Sequence, residues 1–172
     1  MIMRPDIKVG VGYDSHRFVR NRNLVLGGVI IPHEMGLEGH SDADVLLHAI
    51  ADALLGAIGK GDIGRLFSPN DDEYKDIKST ILLSRVFELV VKDGFRVGNI
   101  DAVIIAEQPK MAPHIPVMQG KIAKILLVPK NDISIKATSN EKMGFIGRNE
   151  GIAVIANILI YKDNGTVTTT DK

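Results

Sequence analysis

Asp14-x-His16 near the start and His48 within His40-Ser41-Asp42-Ala43-Asp44-Val45-Leu46-Leu47-His48 are the residues of this chain best suited to chemistry. One carboxylate and two imidazoles suit a borderline cation such as Zn²⁺. Three protein ligands leave the fourth tetrahedral position open, the pattern of a catalytic rather than a structural site. The chain has five histidines and no cysteine, so any metal must be held by imidazole and carboxylate. The same residues also fit a plainer description, as unrelated polar positions on a loop and a helix, because Asp-x-His alone is common.

Spacing adds to the metal reading. In an extended segment Asp14 and His16 point to the same side. In a helix predicted from Asp42 to about Gly59, Ser41, Asp44, His48 and Asp52 fall on one stripe, while Leu47, Ile50, Leu54 and Ile58 form a separate apolar stripe for the core. His48 then faces a polar seam that begins at the helix N-terminus. That terminus favours anions, so phosphate is expected near His40, Ser41 and Asp42. Asp44 or Asp52 either orients His48 from behind or stands as a solvated carboxylate.

The elements that must position these residues alternate along the chain. Ile7–Gly12 and Leu24–Ile31 read as strands, the second interrupted by Gly27-Gly28 as a bulge or close backbone approach. The helix from Asp42 has Ser41 or Asp42 as its N-cap. A second helix is predicted over Lys78–Lys92, closed by Asp93-Gly94, and a third from Pro116 to about Leu127, ended by Val128-Pro129. Strands are predicted at Ile100–Ala106, Ile133–Thr138 and Ile152–Tyr161. The pattern implies an α+β fold in which one sheet has helices packed on one face. The last strand is apolar at nearly every position and so needs cover on both faces. Either an oligomer interface supplies it, or the strand is the covered centre of a monomer. Residues 1–162 read as a single domain, and the polar, Thr-rich tail 163–172 is expected to be disordered.

Composition limits the function. A chain of 172 residues suits one domain that buries roughly 70% of its unfolded surface. Lys+Arg and Asp+Glu are both 21, a balance that argues against a nucleic-acid or anionic-membrane partner held by bulk charge. The start, Met-Ile-Met-Arg-Pro-Asp, lacks a signal-type apolar core, and no apolar run is long enough to span a bilayer. A cytoplasmic location is expected.

Five blocks carry a resemblance. They are Gly12-Tyr13-Asp14-Ser15-His16, Gly39-His40-Ser41-Asp42-Ala43-Asp44 with His48, and Gly61-Asp62-Ile63-Gly64-Arg65-Leu66-Phe67. Ala106-Glu107-Gln108-Pro109-Lys110-Met111 and Lys136-Ala137-Thr138-Ser139-Asn140-Glu141-Lys142-Met143-Gly144-Phe145-Ile146-Gly147-Arg148 complete the set. In this order, from about Ile7 to Tyr161, the chain resembles the 2-C-methyl-D-erythritol 2,4-cyclodiphosphate synthase family.

The resemblance implies a metal-dependent step of the non-mevalonate isoprenoid pathway. The 2-phosphate of 4-diphosphocytidyl-2-C-methyl-D-erythritol 2-phosphate attacks the β-phosphorus, CMP leaves, and a cyclic diphosphate closes. It assigns Zn²⁺ to Asp14, His16 and His48, with a substrate phosphate oxygen as the fourth ligand. It gives His40 and Ser41 to phosphate, Asp62 to the methylerythritol hydroxyls, and Glu141 to Mg²⁺ or Mn²⁺ on the diphosphate. Ala106, Pro109, Lys110, Met111, Ala137, Thr138 and Ser139 would form the cytidine diphosphate pocket. The family is a homotrimer with active sites between subunits, which implies a mixed sheet whose other face looks toward the trimer centre. An axial cavity that can hold an isoprenoid diphosphate would be met by Tyr13, Phe145 and Arg148. Three Arg148 side chains near one axis would need an anion or carboxylates such as Glu150 to balance them.

Three departures from the family pattern stand out. Phe67-Ser68-Pro69-Asn70-Asp71 replaces the frequent Phe-Pro-Asp-Thr-Asp, Thr138-Ser139-Asn140 replaces Thr-Thr-Thr, and Ala112 replaces a common Leu beside the cytosine pocket. None touches an expected metal ligand. Two other activities fit the same residues. One is a metal-dependent phosphoesterase that uses water on the Asp/His/His centre; the other is a non-catalytic isoprenoid-diphosphate-binding protein.

Overall fold

Alternation along strand β1 (Ile7–Arg20) decides which face of the sheet is covered. Val9, Val11 and Tyr13 are 74%, 66% and 56% exposed, whereas Gly10, Gly12, Asp14 and His16 turn to the opposite face. A computed structural model describes residues 6–67 and 77–162. The expected tail 163–172 and the altered Ser68-Pro69-Asn70-Asp71 segment lie outside these residues.

The five-stranded sheet has the order β4-β1-β7-β5-β6, built from β4 (Met35–Leu37), β1, β7 (Gly151–Lys162), β5 (Phe95–Ile105) and β6 (Ile133–Thr138). β7 runs antiparallel to both neighbours, with Asp14 opposite Val154 and His16 opposite Ile152. β5 and β6 are the one parallel pair, Ile104 beside Ala137 and Ile105 beside Thr138. This is the mixed sheet of an α+β fold. A separate hairpin joins β2 (Leu24–Leu26) to β3 (Val29–Ile31).

Helices α1 (Val45–Ala57), α3 (Ser79–Lys92) and α4 (Ile115–Leu126) cover one face, and α2 (Ile63–Leu66) and α5 (Gly144–Gly147) are single turns. Ile100, Ala102, Ile104, Val154, Ala156 and Ile158 of the sheet share one buried cluster with Leu54, Leu83, Val86 and Ile122 of the helices. α1 is buried on nearly every side, so its apolar surface is wider than one stripe. It lies so close to β1 that a Cβ on Gly12 would sit 1.9 Å from the Ala49 carbonyl oxygen. That approach brings Asp14 and His16 of the strand next to His48 of the helix.

Several sequence expectations are corrected. The first strand continues past Gly12 to Arg20, because β7 pairs with it as far as Arg17 and β4 takes over at Phe18–Arg20. Leu24–Ile31 is two strands. Gly27 and Gly28 have φ of 58° and 70°, left-handed values that make a two-residue hairpin turn and not a bulge. The first helix begins at Val45 with Asp44 as its N-cap, because Ala43 at φ 55° breaks the helical backbone before it. Ser41 and Asp42 therefore precede the helix. β4, α2 and α5 escape the sequence reading because three or four residues carry no usable period.

The last strand has its expected cover on one face only within this chain. Ile155 is 38% exposed on the other, where it joins Val9, Val11 and Tyr13. Among the described residues no helix is long and apolar enough to cross a membrane.

Candidate active site

Asp14 Oδ2, His16 Nε2 and His48 Nδ1 converge. Asp14 Oδ2 lies 3.0 Å from His16 Nε2 and 3.0 Å from His48 Nδ1, and the two ring nitrogens are 3.2 Å apart. Ligands on one tetrahedral Zn²⁺ at about 2.0 Å stand about 3.3 Å from one another, so the three atoms are already spaced for a shared ion. Among the described residues this is the one cluster of its kind.

The outward nitrogens are committed elsewhere, and that fixes which nitrogens face inward with a lone pair. His16 Nδ1 lies 2.6 Å from the Glu38 carbonyl, which only accepts, so Nδ1 carries the proton. On His48, Nε2 is 2.8 Å from Ser79 Oγ and 3.2 Å from Ser41 Oγ. Ser79 Oγ–H donates to the Asp42 carboxylate, so its lone pair accepts from His48 Nε2–H. A carboxylate behind a hydroxyl thus sets the imidazole tautomer, the role that outer groups play behind metal ligands. His48 and Ser79 are 7% and 1% exposed, so water competes little for these bonds.

The electrostatics favour a cation. Burial alone would raise the Asp14 carboxyl, but hydrogen bonds and charge from His16 and His48, through protons that a cation on the inward nitrogens would displace, outweigh it and hold Asp14 well below the usual carboxylate range. Burial alone would lower His16; its bond to Asp14 and the Asp14 charge outweigh that and hold it above its ordinary value. Asp14 is therefore a fixed anion at neutral pH.

Neither Asp44 nor Asp52 orients His48. Asp44 is fully buried and accepts the N–H groups of Gly27, Gly28 and Leu47, tying the hairpin turn to the start of α1. Burial pushes its carboxyl up to about 6, against the pull of those three bonds. Asp52 accepts from Ile63 N at 2.8 Å and so anchors α2.

A cavity of about 270 Å³ opens on the cluster. His40 and Ser41 line it with Asp14, His16 and His48, and Ile63, Gly64, Phe67, Ile77 and Leu82 give it apolar walls. Arg22 donates to the carbonyls of Gly39 and Ser41 and so pins the loop that carries His40 and Ser41. Asp62, one residue before the lining Ile63, caps α2, its carboxylate accepting from Arg65 N at 3.0 Å, and does not itself line the cavity.

The remaining expected residues gather elsewhere, at the carboxyl ends of the parallel pair β5 and β6. Ala106 N donates to Thr138 O at 3.0 Å, which joins the two segments. Glu141 is exposed and takes a hydrogen bond from Ser139 Oγ at 2.9 Å. Ala137, Thr138, Ser139 and Lys110 are exposed, Pro109 is half-buried, and Met111 packs into the core at 3% exposure. Within one chain none of these lines the Asp14 cavity. Phe145 lines a larger open cleft of about 750 Å³ that also reaches His16. Arg148 Nε lies 2.7 Å from Glu150 Oε1, the balancing carboxylate the sequence suggested.

Ser79, Arg22, Glu107 and the outer role of Asp42 were missed. Ser79 lies 31 residues from His48, and nothing in a lone serine before a helical run signals that contact. Arg22 reads as one cation among many.

Comparison with known proteins completes the picture. The profile described as YgbB family matches residues 7–161. A 2-C-methyl-D-erythritol 2,4-cyclodiphosphate synthase of Nostoc sp. is 54% identical over 162 residues, spanning 94% of this chain and 98% of that protein. The synthase of the same name from Halalkalibacterium halodurans is 56% identical over 156 residues, spanning 91% and 99%. Among solved structures, the CDP complex of IspF from Plasmodium falciparum superposes with a TM-score of 0.82 at 34% identity, covering 94% of this chain and all of that one. The bifunctional IspDF of Campylobacter jejuni gives a TM-score of 0.88 at 43% identity over 91% of this chain, which spans 42% of that larger protein.

Proposed function

The chain belongs to the YgbB family and acts as a lyase forming 2-C-methyl-D-erythritol 2,4-cyclodiphosphate in the non-mevalonate isoprenoid pathway; we propose that it does so around a Zn²⁺ held by Asp14, His16 and His48. The observation that carries this reading is the set of three inward donor atoms 3.0–3.2 Å apart, with the outward ring nitrogens already occupied. The substrate is 4-diphosphocytidyl-2-C-methyl-D-erythritol 2-phosphate. Its 2-phosphate oxygen forms a bond to the β-phosphorus, the bond from that phosphorus to the bridging oxygen breaks, and CMP leaves with the oxygen and its electron pair.

The nucleophile belongs to the substrate, so the protein's task is to bring two anions together in line. When bound, Zn²⁺ at the cluster and Mg²⁺ or Mn²⁺ at Glu141 supply Lewis-acid stabilisation of phosphate charge. Glu38 and the Asp42–Ser79 pair keep the inward nitrogens of His16 and His48 free of protons. His40 and the Ser41 hydroxyl, on the loop pinned by Arg22, meet phosphate. Asp62, one residue before the lining Ile63, takes the methylerythritol hydroxyls. The apolar walls at Ile63, Phe67 and Leu82 exclude water, which favours ring closure over hydrolysis. Ala106, Pro109, Lys110, Met111, Ala137, Thr138 and Ser139 hold the cytidine diphosphate.

Those residues sit away from the Asp14 cavity of their own chain, and the uncovered apolar face of β1 and β7 needs a partner. Both features support a homotrimer whose sites form between subunits. In it the cytidine pocket of one chain meets the metal cluster of the next, and Tyr13, Phe145 and Arg148 surround an axial cavity that accepts an isoprenoid diphosphate. The enzyme works in the cytoplasm.

³¹P NMR of the reaction tests this reading. Two coupled signals of a cyclic diphosphate, appearing with CMP and lost on chelation, are expected. CMP with an open-chain product would make the protein a phosphoesterase. No reaction by metal-loaded protein would leave a binding protein.

A further inference from the structure

Glu141 stands in an unusual stretch of backbone. Both Glu141 and Lys142 have left-handed φ, 50° and 60°, a conformation that residues with a Cβ seldom take singly and more seldom in succession. Met143 N–H to the Asn140 carbonyl and Asn140 Nδ2 to the Met143 carbonyl close the turn from within, and Glu107 grips it from outside. Its Oε1 accepts Asn140 N–H at 3.0 Å and Lys142 N–H at 3.1 Å, the backbone amides of the two residues on either side of Glu141. Hydrogen bonds to a carboxylate are among the stronger ones a turn can have. Ser139 Oγ then donates to Glu141 Oε1 and aims the side chain. Glu107 itself lies in the Ala106–Met111 segment, one residue past the Ala106 N–H that bonds to Thr138 O. A single carboxylate therefore joins the nucleotide segment to the turn that presents Glu141.

We propose that Glu107 is a positioning residue that couples the nucleotide pocket to the second cation, by holding the Asn140–Lys142 turn in the one shape that points the Glu141 carboxylate at a metal on the diphosphate. The proposal rests on the reading of Glu141 as the ligand of that cation. Glu107 touches neither metal nor substrate. Its effect is to remove the need to order the turn when cation and nucleotide arrive, so each binds better than it would to a loose turn. An amide oxygen serves almost as well as a carboxylate here, because what the turn needs is one acceptor shared by two N–H groups.

The test uses the zinc-loaded full chain, in which the Asp14 cluster is already filled. Mn²⁺ is titrated in the presence of CDP and free Mn²⁺ is followed by EPR, while amide hydrogen exchange reports Asn140 and Lys142. Glu107→Ala is expected to weaken Mn²⁺ binding about tenfold and to speed exchange at those two amides. Zinc content stays at the wild-type level. Glu107→Gln is expected to recover most of the affinity and protection. If Glu107→Ala speeds exchange yet binds Mn²⁺ as the wild type does, the coupling is wrong. Unchanged exchange in that variant would mean the turn is held by something else, and the proposal falls. Glu141→Gln separates the two levels. If it weakens Mn²⁺ binding and Glu107→Ala does not, Glu107 alone is refuted; if it has no effect, the metal role of Glu141 falls and takes this proposal with it.

Discussion

Ser79→Ala is the sharpest test of how the metal cluster is organised. The hydroxyl accepts from His48 Nε2–H at 2.8 Å and donates to Asp42, in a position 1% exposed, so water cannot readily replace it. Without it, His48 loses its main outward partner, and the tautomer with its lone pair on Nδ1 is no longer enforced. Loss of such an outer partner weakens metal binding by roughly 10- to 100-fold. Ser41 Oγ, 3.2 Å from the same nitrogen, remains as a poorer acceptor. The single variant should therefore fall near the low end, about tenfold in Zn²⁺ affinity or about 1.4 kcal/mol. Removing both hydroxyls should approach the hundredfold end.

The fold should survive the change. Ser79 N–H still donates to Asp42 Oδ2 at 3.1 Å, and the lost hydroxyl bonds are worth about 1 kcal/mol of stability. Competition for Zn²⁺ against a chromophoric chelator gives the affinity, urea melts give the stability, and ¹⁵N-coupled NMR of the zinc-loaded protein shows which His48 nitrogen is protonated. The reasoning is refuted if the Ser41/Ser79 double variant holds Zn²⁺ within about twofold of wild type. It is equally refuted if wild-type His48 carries its proton on Nδ1.

Asp44 predicts a pH dependence. Between about 4 and about 6 the folded chain keeps a proton on this buried carboxyl that the unfolded chain has released, so stability falls as pH rises through that window. Relative to Asp44→Asn, wild-type stability should drop by about 3 kcal/mol across it in urea melts, and a flat difference would contradict the assignment. Gly12→Ala would drive a Cβ to 1.9 Å from the Ala49 carbonyl oxygen, so a loss of more than about 3 kcal/mol is expected in the same assay; near-wild-type stability would mean α1 and β1 part easily. His48→Ala should lose Zn²⁺ from the purified protein and bring turnover to background with the far-UV circular dichroism spectrum retained. Normal turnover would dismiss the zinc assignment.

What was legible in the sequence is what single side chains and short periods carry. Asp14, His16 and His48 are ligand types whatever the fold, and the alternation that puts Asp14 and His16 on one side needs only an extended backbone. The helices at Ser79–Lys92 and Ile115–Leu126 and the strand Ile133–Thr138 follow from apolar spacing and from Pro and Gly at their ends. The five ordered blocks pointed to the YgbB family's activity because their residue types and order survive without coordinates.

Distance across the chain was decided only by tertiary structure. Asp14 and His48 are 34 residues apart, His16 and Glu38 are 22 apart, and Glu107 and Asn140 are 33 apart. Their contacts depend in turn on how closely α1 seats on Gly12, on the pairing of β4 with β1, and on the parallel pairing of β5 with β6. Asp44 shows the limit most plainly. As a sequence position it is a polar residue on a helix stripe, suited to solvent or to His48. Ala43 in the left-handed region moves the helix start, packing buries the carboxylate, and three backbone N–H groups claim its oxygens. Residue type sets which bonds a group is able to make. Which of them it makes depends on what packing leaves within 3 Å and on whether water is there to compete.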